Sequence, residues 1–273
     1  MIFLRKSKPR GFALCVGLNS VDPVHYGGWS GDLRGCENDA RCMEGLLRAK
    51  GYATQLLLTE QATSAEVVRR IKALQQAAVS GDIVVVTNSS HGGQIRDYDG
   101  NEADGYDETI CMYDRQLIDD ELNALWAGFA KGVRLLFVSD SCHSGTASRA
   151  IQQPSSAFRA VRMVPANISL QTERENSDLY KQVKADARPK ASAPIKASLL
   201  ALGACQDNQT AMDGAVNGAF TGALLMCLGV YPTATLGKLI AQTRAALPST
   251  QSPSYVYGGA RSDAFEKSAA FSI

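Results

Sequence analysis

Residues 82–93, "DIVVVTNSSHGG", begin with an unbroken Ile/Val run and end in small polar residues, a histidine and two glycines. A run of strand length with no polar alternation fits a strand covered on both faces. Residues 133–145, "VRLLFVSDSCHSG", repeat the design, with Cys142 where the first stretch has His91. "FALCVGLN" (12–19), "YATQLLLT" (52–59) and "SLLALGAC" (198–205) read as further strands. Helical spacing separates them. Ala40, Met43, Leu46 and Leu47 mark one helical face before Gly51, a suitable stop. Thr63 and Glu66 form a capping-box pattern ahead of Val67, Ile71, Leu74 and Ala78. Residues 118–132 carry acids in the first turn and Lys131 near the end, in keeping with the helix dipole. Segments 217–229 and 233–247 also read as helices, and "SPSYVYGG" (252–259) as a closing edge. This alternation predicts a single doubly wound α/β domain over 1–273, its mainly parallel sheet covered by helices on both faces. Residues 92–114 and 146–196 interrupt the pattern, and the second is expected to be a long polar loop.

Bulk properties narrow the function. A formal net charge of +1 offers no electrostatic case for nucleic acid or an anionic membrane. The longest apolar runs are of strand length, short of the roughly 20 residues a membrane span needs. Seven cysteines without a regular framework are expected to be thiols, which fits a cytoplasmic setting. With three histidines and no zinc-type spacing, a histidine-rich metal centre is not expected. A monomer is the expected state.

His143 follows Cys142 directly, and neighbours on an extended chain point to opposite faces, so the base for a Cys142 thiol has to come from elsewhere. Ligands of open α/β sheets bind beyond the carboxyl ends of the strands. Side by side, the two stretches would bring His91 and Cys142 to one edge. There an imidazole can take the thiol proton and return it to a leaving amine. Backbone N–H groups of Gly92 and Cys142 are candidate donors to the oxyanion. Asp140 either faces a cationic substrate group or orients His91. Asp39 either serves a helix start or joins Asp140 in a pocket for Lys or Arg. A cysteine phosphatase would need arginine six positions after the nucleophile, where this chain has Ser148. Cys205 ends a strand and is read mainly as a packing thiol, and His25 and His143 as peripheral.

"NSSHGG", "DSCHSG" and "RGCENDA" (34–40) together resemble the metacaspases, caspase-like cysteine peptidases that include bacterial orthocaspases. "LLALGACQDNQTA" (199–211) and "GAFTGALL" (218–225) extend the resemblance. His91 precedes Cys142 by 142 − 91 = 51 residues, close to the roughly 50 of caspases. The resemblance implies a caspase-like fold, a His91–Cys142 dyad and peptide or protein substrates cut after Arg or Lys. It implies a pocket of Asp39, Ser89 and Asp140 for that basic side chain. No cofactor is required for the chemistry, but an activating calcium is implied at Asp107, Asp119 and Asp120. A fourth ligand position, seven residues past the nucleophile, is Arg149 here, which opposes a cation. Ser90 stands where the family has glycine. Self-cleavage is expected after one or more of Arg149, Arg159, Arg162, Arg174, Lys181, Lys184 and Arg188. The alternative is a catalytically inactive caspase-fold scaffold used for binding.

Overall fold

Strands β1 (Gly11–Gly17), β3 (Ile83–Ser89), β7 (Arg134–Asp140) and β9 (Ser198–Gly203) lie side by side and parallel in a computed structural model. It describes residues 8–98, 105–142, 158–206 and 209–273. Parallel β2 (Ala53–Leu58) and antiparallel β11 (Ser254–Gly259) complete a six-stranded sheet in the order β11-β9-β7-β3-β1-β2. Successive residues of the central strands point to opposite faces, and both sets are apolar. Ala13, Cys15, Val85, Leu136 and Leu200 face one cluster with Met43 and Leu47 of α1 (Cys36–Ala49). Helices α6 (Ala219–Val230) and α7 (Leu236–Ala246) contribute to the same cluster. Leu14, Val16, Val84, Val86 and Leu135 face the other, with α2 (Ser64–Ala77) and α3 (Asp119–Ala127). Two-sided burial is why these strands read as continuous runs. Thr63 caps α2, its hydroxyl accepting from the Glu66 N–H at 3.3 Å. α8 (Asp263–Lys267) lies near the C terminus.

The two interruptions carry structure of their own. Residues 92–114 supply β4 (Gly92–Arg96) and β5 (Tyr106–Cys111), which form a small antiparallel sheet with β6 (Gln116–Ile118). Residues 146–196, expected to be a loop, contain β8 (Phe158–Val161), α4 (Ala166–Glu175) and α5 (Ser177–Ala191) among their described residues. β8 pairs with the short β10 (Met212–Gly214). The inward face of α5 consists of Tyr180, Lys184 and Ala187, at helical spacing. A lysine at the centre of that face removes the apolar signal.

Lys184 is 2 % exposed. Its ammonium donates to both Asp107 oxygens at 2.6 and 2.7 Å and to Asp97 at 2.8 Å, with Asp120 at 3.8 Å. These carboxylates come from β5, the end of β4 and the first turn of α3, so one buried cation fastens α5 to three elements. Breaking a buried ion pair from one side strands the remaining charges. Lys184→Met is therefore expected to lower unfolding stability in urea by roughly 3–5 kcal/mol. A loss below about 1 kcal/mol would show that the cluster does not depend on its lysine.

Candidate active site

β3 and β7 run in register, Ser89 opposite Asp140, so His91 and Cys142 each leave the sheet two residues beyond a matched pair. They reach the same edge. Gly92 lies against the Cys142 backbone so closely that a Cβ there would fall 1.5 Å from the Cys142 carbonyl oxygen, which only glycine permits.

His91 is buried and its orientation is fixed. Its Nε2 donates to the Gly31 carbonyl at 2.7 Å, and the Trp29 ring lies 4.7 Å away, centroid to centroid. Gly31 has a positive φ of 59°, and a side chain on it would crowd Trp29 and His91. With the proton on Nε2, the lone pair is on Nδ1, which is buried and has no hydrogen-bond partner among the described residues. Burial holds the imidazole pKa down at about 4; the Gly31 bond opposes the shift and Arg162 adds to it. The ring is thus a neutral base. The Cys142 sulfur accepts from the Ala211 N–H at 2.7 Å, and the Cys205 thiol donates to the neighbouring Ser141 carbonyl at 3.8 Å. No hydrogen bond joins it to His91 among the described residues. Ser90 is accommodated without altering this edge, since its hydroxyl donates to the His91 carbonyl and accepts from the Asn88 amide.

Arg162, which is fully buried, occupies the adjacent pocket. Its Nη2 donates to Asp39 at 2.8 Å and to Asp213 at 2.9 Å, and its Nη1 donates to Ser89 at 2.7 Å and lies 3.1 Å from Asp140. The carboxylates are themselves held: Asp39 by Ser89, Asn217 and the Gly218 N–H, Asp140 by the N–H and hydroxyl of Thr221, and Asp213 by the Arg34 and Gly35 N–H groups. Burial raises the Asp39 pKa against the pull of Arg162. Burial would also discharge Arg162, but the surrounding carboxylates outweigh it and hold its pKa well above the ordinary value.

The Arg162 carbonyl accepts from the Gly92 N–H at 3.0 Å and the Cys142 N–H at 3.1 Å, the two donors expected to bind an oxyanion. Its own N–H donates to Ala211, and the Val164 N–H donates to the Gly92 carbonyl at 2.9 Å. β8 precedes it, paired antiparallel with β10. The chain therefore crosses the edge extended, with the Arg162 side chain in an acidic pocket and its carbonyl between two convergent donors.

His91, Cys142, Gly92, Asp39, Ser89 and Asp140 all gather here. Ala211, the last residue of the stretch 199–211, joins them, and Asp213, Gly31 and Trp29 complete the site with no motif to mark them; Asp213 lies on a strand of three residues, too short to give a pattern. Of the implied calcium positions, Asp107 and Asp120 surround Lys184, while Asp119 accepts from the Asp120 N–H at 2.9 Å. The Lys184 ammonium already neutralises Asp107 and Asp120, and Asp119 is not gathered with them there, so these three residues do not fit a shared calcium. Among the described residues no group of three or more His, Cys, Asp or Glu is arranged to hold a metal ion. Arg149 and His143 lie outside the described residues. His25 hydrogen-bonds Tyr180 at 2.8 Å, away from the nucleophile's contacts.

The Caspase domain family profile matches residues 10–265. This chain belongs to that family of cysteine peptidases. Its caspase domain is 30 % identical to Metacaspase-1 of Mycosarcoma maydis over 88 % of this chain and 68 % of the relative. It is 32 % identical to Metacaspase-1A of Aspergillus fumigatus over 78 % of this chain, spanning 58 % of that relative. Protein GSU0716 from Geobacter sulfurreducens superposes with a TM-score of 0.88 at 40 % identity, covering 97 % of this chain and 99 % of that one. Caspase-1 from Spodoptera frugiperda shares the fold, at a TM-score of 0.56 and 13 % identity over 92 % of this chain and 89 % of that one.

The depressed imidazole pKa gives a direct test. Imidazole nitrogen chemical shifts should keep His91 neutral, protonated on Nε2, down to about pH 4. A free histidine titrates at 6.5, so acid protonates the unfolded chain first, and His91's contribution to stability declines as pH falls from 6.5 to about 4. Titration of His91 near 6.5 would contradict the buried geometry.

Proposed function

We propose that this chain is an endopeptidase that cuts after arginine or lysine with a Cys142–His91 dyad, and that its own Arg162–Met163 bond is bound as a substrate. One observation carries the reading: Arg162 puts a cation against Asp39, Asp140 and Asp213 while its carbonyl meets the Gly92 and Cys142 N–H groups. A scaffold with no reaction to perform has no use for two donors converging on one carbonyl beside an unpartnered base.

In the proposed reaction, the Cys142 thiol turns from the Ala211 N–H towards His91 and gives its proton to Nδ1. Sulfur adds to the carbonyl carbon of the basic residue, and the Gly92 and Cys142 N–H groups hold the resulting oxyanion. Collapse breaks the C–N bond, and the leaving amine takes the proton from His91. Water, deprotonated by His91, then cleaves the thioester. The pocket favours a long cation because three buried carboxylates face it, and an aspartate there would meet like charge.

Among the self-cleavage candidates, only a residue in extended chain matches β-type pairing with the enzyme. Arg174 lies in α4, and Lys181, Lys184 and Arg188 in α5, where the backbone is committed to helix. Arg159 lies within β8, before the residue that enters the pocket. Among the described candidates Arg162 is therefore the favoured site; Arg149 lies outside the described residues. The chemistry needs no cofactor, and because Lys184 supplies the positive charge at Asp107 and Asp120, calcium and its chelators should leave the rate unchanged.

The test uses Arg162→Ala, whose pocket is empty of its own side chain, and fluorogenic peptides differing only at P1. Arg and Lys peptides should exceed the Asp peptide in kcat/KM by roughly 100-fold or more, and Cys142→Ala should abolish turnover. Asp213→Asn should lower kcat/KM for the Arg peptide by roughly tenfold. Preference for Asp at P1, or turnover surviving Cys142→Ala, would overturn the proposal.

A further inference from the structure

Cys205 sits beside the nucleophile and takes no part in the hydrolysis outlined above. β7 and β9 are adjacent and parallel, with Ser139 opposite Gly203, and their chains stay together beyond the sheet. The Ala204 N–H donates to the Ser139 carbonyl at 2.9 Å, and the Cys205 thiol to the Ser141 carbonyl at 3.8 Å. Cys142 and Cys205 are consequently delivered to one rim, both buried and in one apolar cluster. The Ala211 N–H donates to the Cys142 sulfur at 2.7 Å, while the Cys205 thiol reaches the carbonyl of the residue just before the nucleophile. Continued past the sheet, that register sets Cys205 opposite Ser141 and Cys142 one residue further on. A spacing of about 4.8 Å between strands and about 3.3 Å along one gives a diagonal of roughly 5.8 Å, inside the ~4.4–6.8 Å Cα separation that disulfides span.

We propose that Cys205 is a resolving thiol, making Cys142 a site of reversible oxidation by peroxides. In the first step the Cys142 sulfur attacks a peroxide oxygen: an S–O bond forms, the O–O bond breaks, and with hydrogen peroxide one water leaves. Cys142 is oxidised to the sulfenic acid. In the second step the Cys205 sulfur attacks the sulfenic sulfur, the S–O bond breaks, and the departing hydroxyl leaves as water with the Cys205 proton. A dithiol reverses the bridge by exchange and is itself oxidised. The bridge removes the nucleophile from use and guards it against sulfinic acid, from which a dithiol cannot recover it.

The inference rests on Cys142 being the reactive thiol proposed above. Arg162→Ala is the background for the test, because in the native chain Arg162 covers the site. Hydrogen peroxide should inactivate this enzyme, and dithiothreitol should restore most of its initial rate. A non-reducing peptide map should link the Cys142 and Cys205 peptides through those two residues. With Cys205→Ala or Cys205→Ser added, each variant measured against its own initial rate, recovery should fall to about a tenth or less as sulfinic acid accumulates. Equal recovery without Cys205, a map with no linkage, or a bridge from Cys142 to Cys227 instead would overturn the inference. The map needs no peptidase activity and Cys142→Ala turnover needs no oxidant, so failure of the bridge and failure of the catalytic reading are separate results.

Discussion

One buried guanidinium organises the functional edge of this molecule. Asp39 arrives on the first turn of α1, Asp140 at the end of β7 and Asp213 on β10, three carboxylates that would repel one another inside the protein without a cation. Desolvating them is costly, and it is tolerated because Arg162 lies among them and backbone and side-chain donors bond Asp39, Asp213 and one Asp140 oxygen. Asp140 Oδ1 is left without a donor among the described residues. The arrangement suits a long, positively charged side chain, and the guanidinium fork reaches several of its carboxylates at once. With Arg162 in the pocket, its own carbonyl falls between the Gly92 and Cys142 N–H groups, so one residue fills the acidic pocket with its side chain and both donors with its backbone.

The chain around Arg162 is secured in both directions. Before it, β8 pairs with β10; after it, Val164 bonds to Gly92, and α4 docks on β4 with the Ser169 hydroxyl donating to Gln94 at 2.6 Å. Further on, Lys184 plants α5 in its own acidic cluster. Two internal cations on one segment thus fill two buried acidic sites. A tethered arginine competes with substrate at the high effective concentration of an intramolecular ligand, which in the proposed function makes the intact chain a restrained form of the enzyme.

Much of this was legible in the sequence, for identifiable reasons. A doubly covered parallel sheet leaves unbroken apolar runs, and the abrupt change to small polar residues marks the edge where His91 and Cys142 emerge. Gly92 was legible because close backbone approach tolerates nothing larger. Asp213 was not, because a three-residue strand leaves no periodicity and its partners are 51 to 179 positions away in the chain. α5 was hidden by Lys184, a charge at the centre of a buried face, which cancels the pattern that reveals helices. The role of Gly31 depends on its carbonyl and its backbone conformation, neither of which a side-chain pattern can express.

The central claim is that the Arg162–Met163 bond is presented to Cys142 as a substrate. The most direct measurement is to incubate the purified chain and determine every new amino terminus over time by mass spectrometry. The account predicts a single early terminus at Met163, absent when Cys142 is replaced by alanine. A chain that turns over arginyl peptides while remaining whole, or that opens first at another bond, would contradict it.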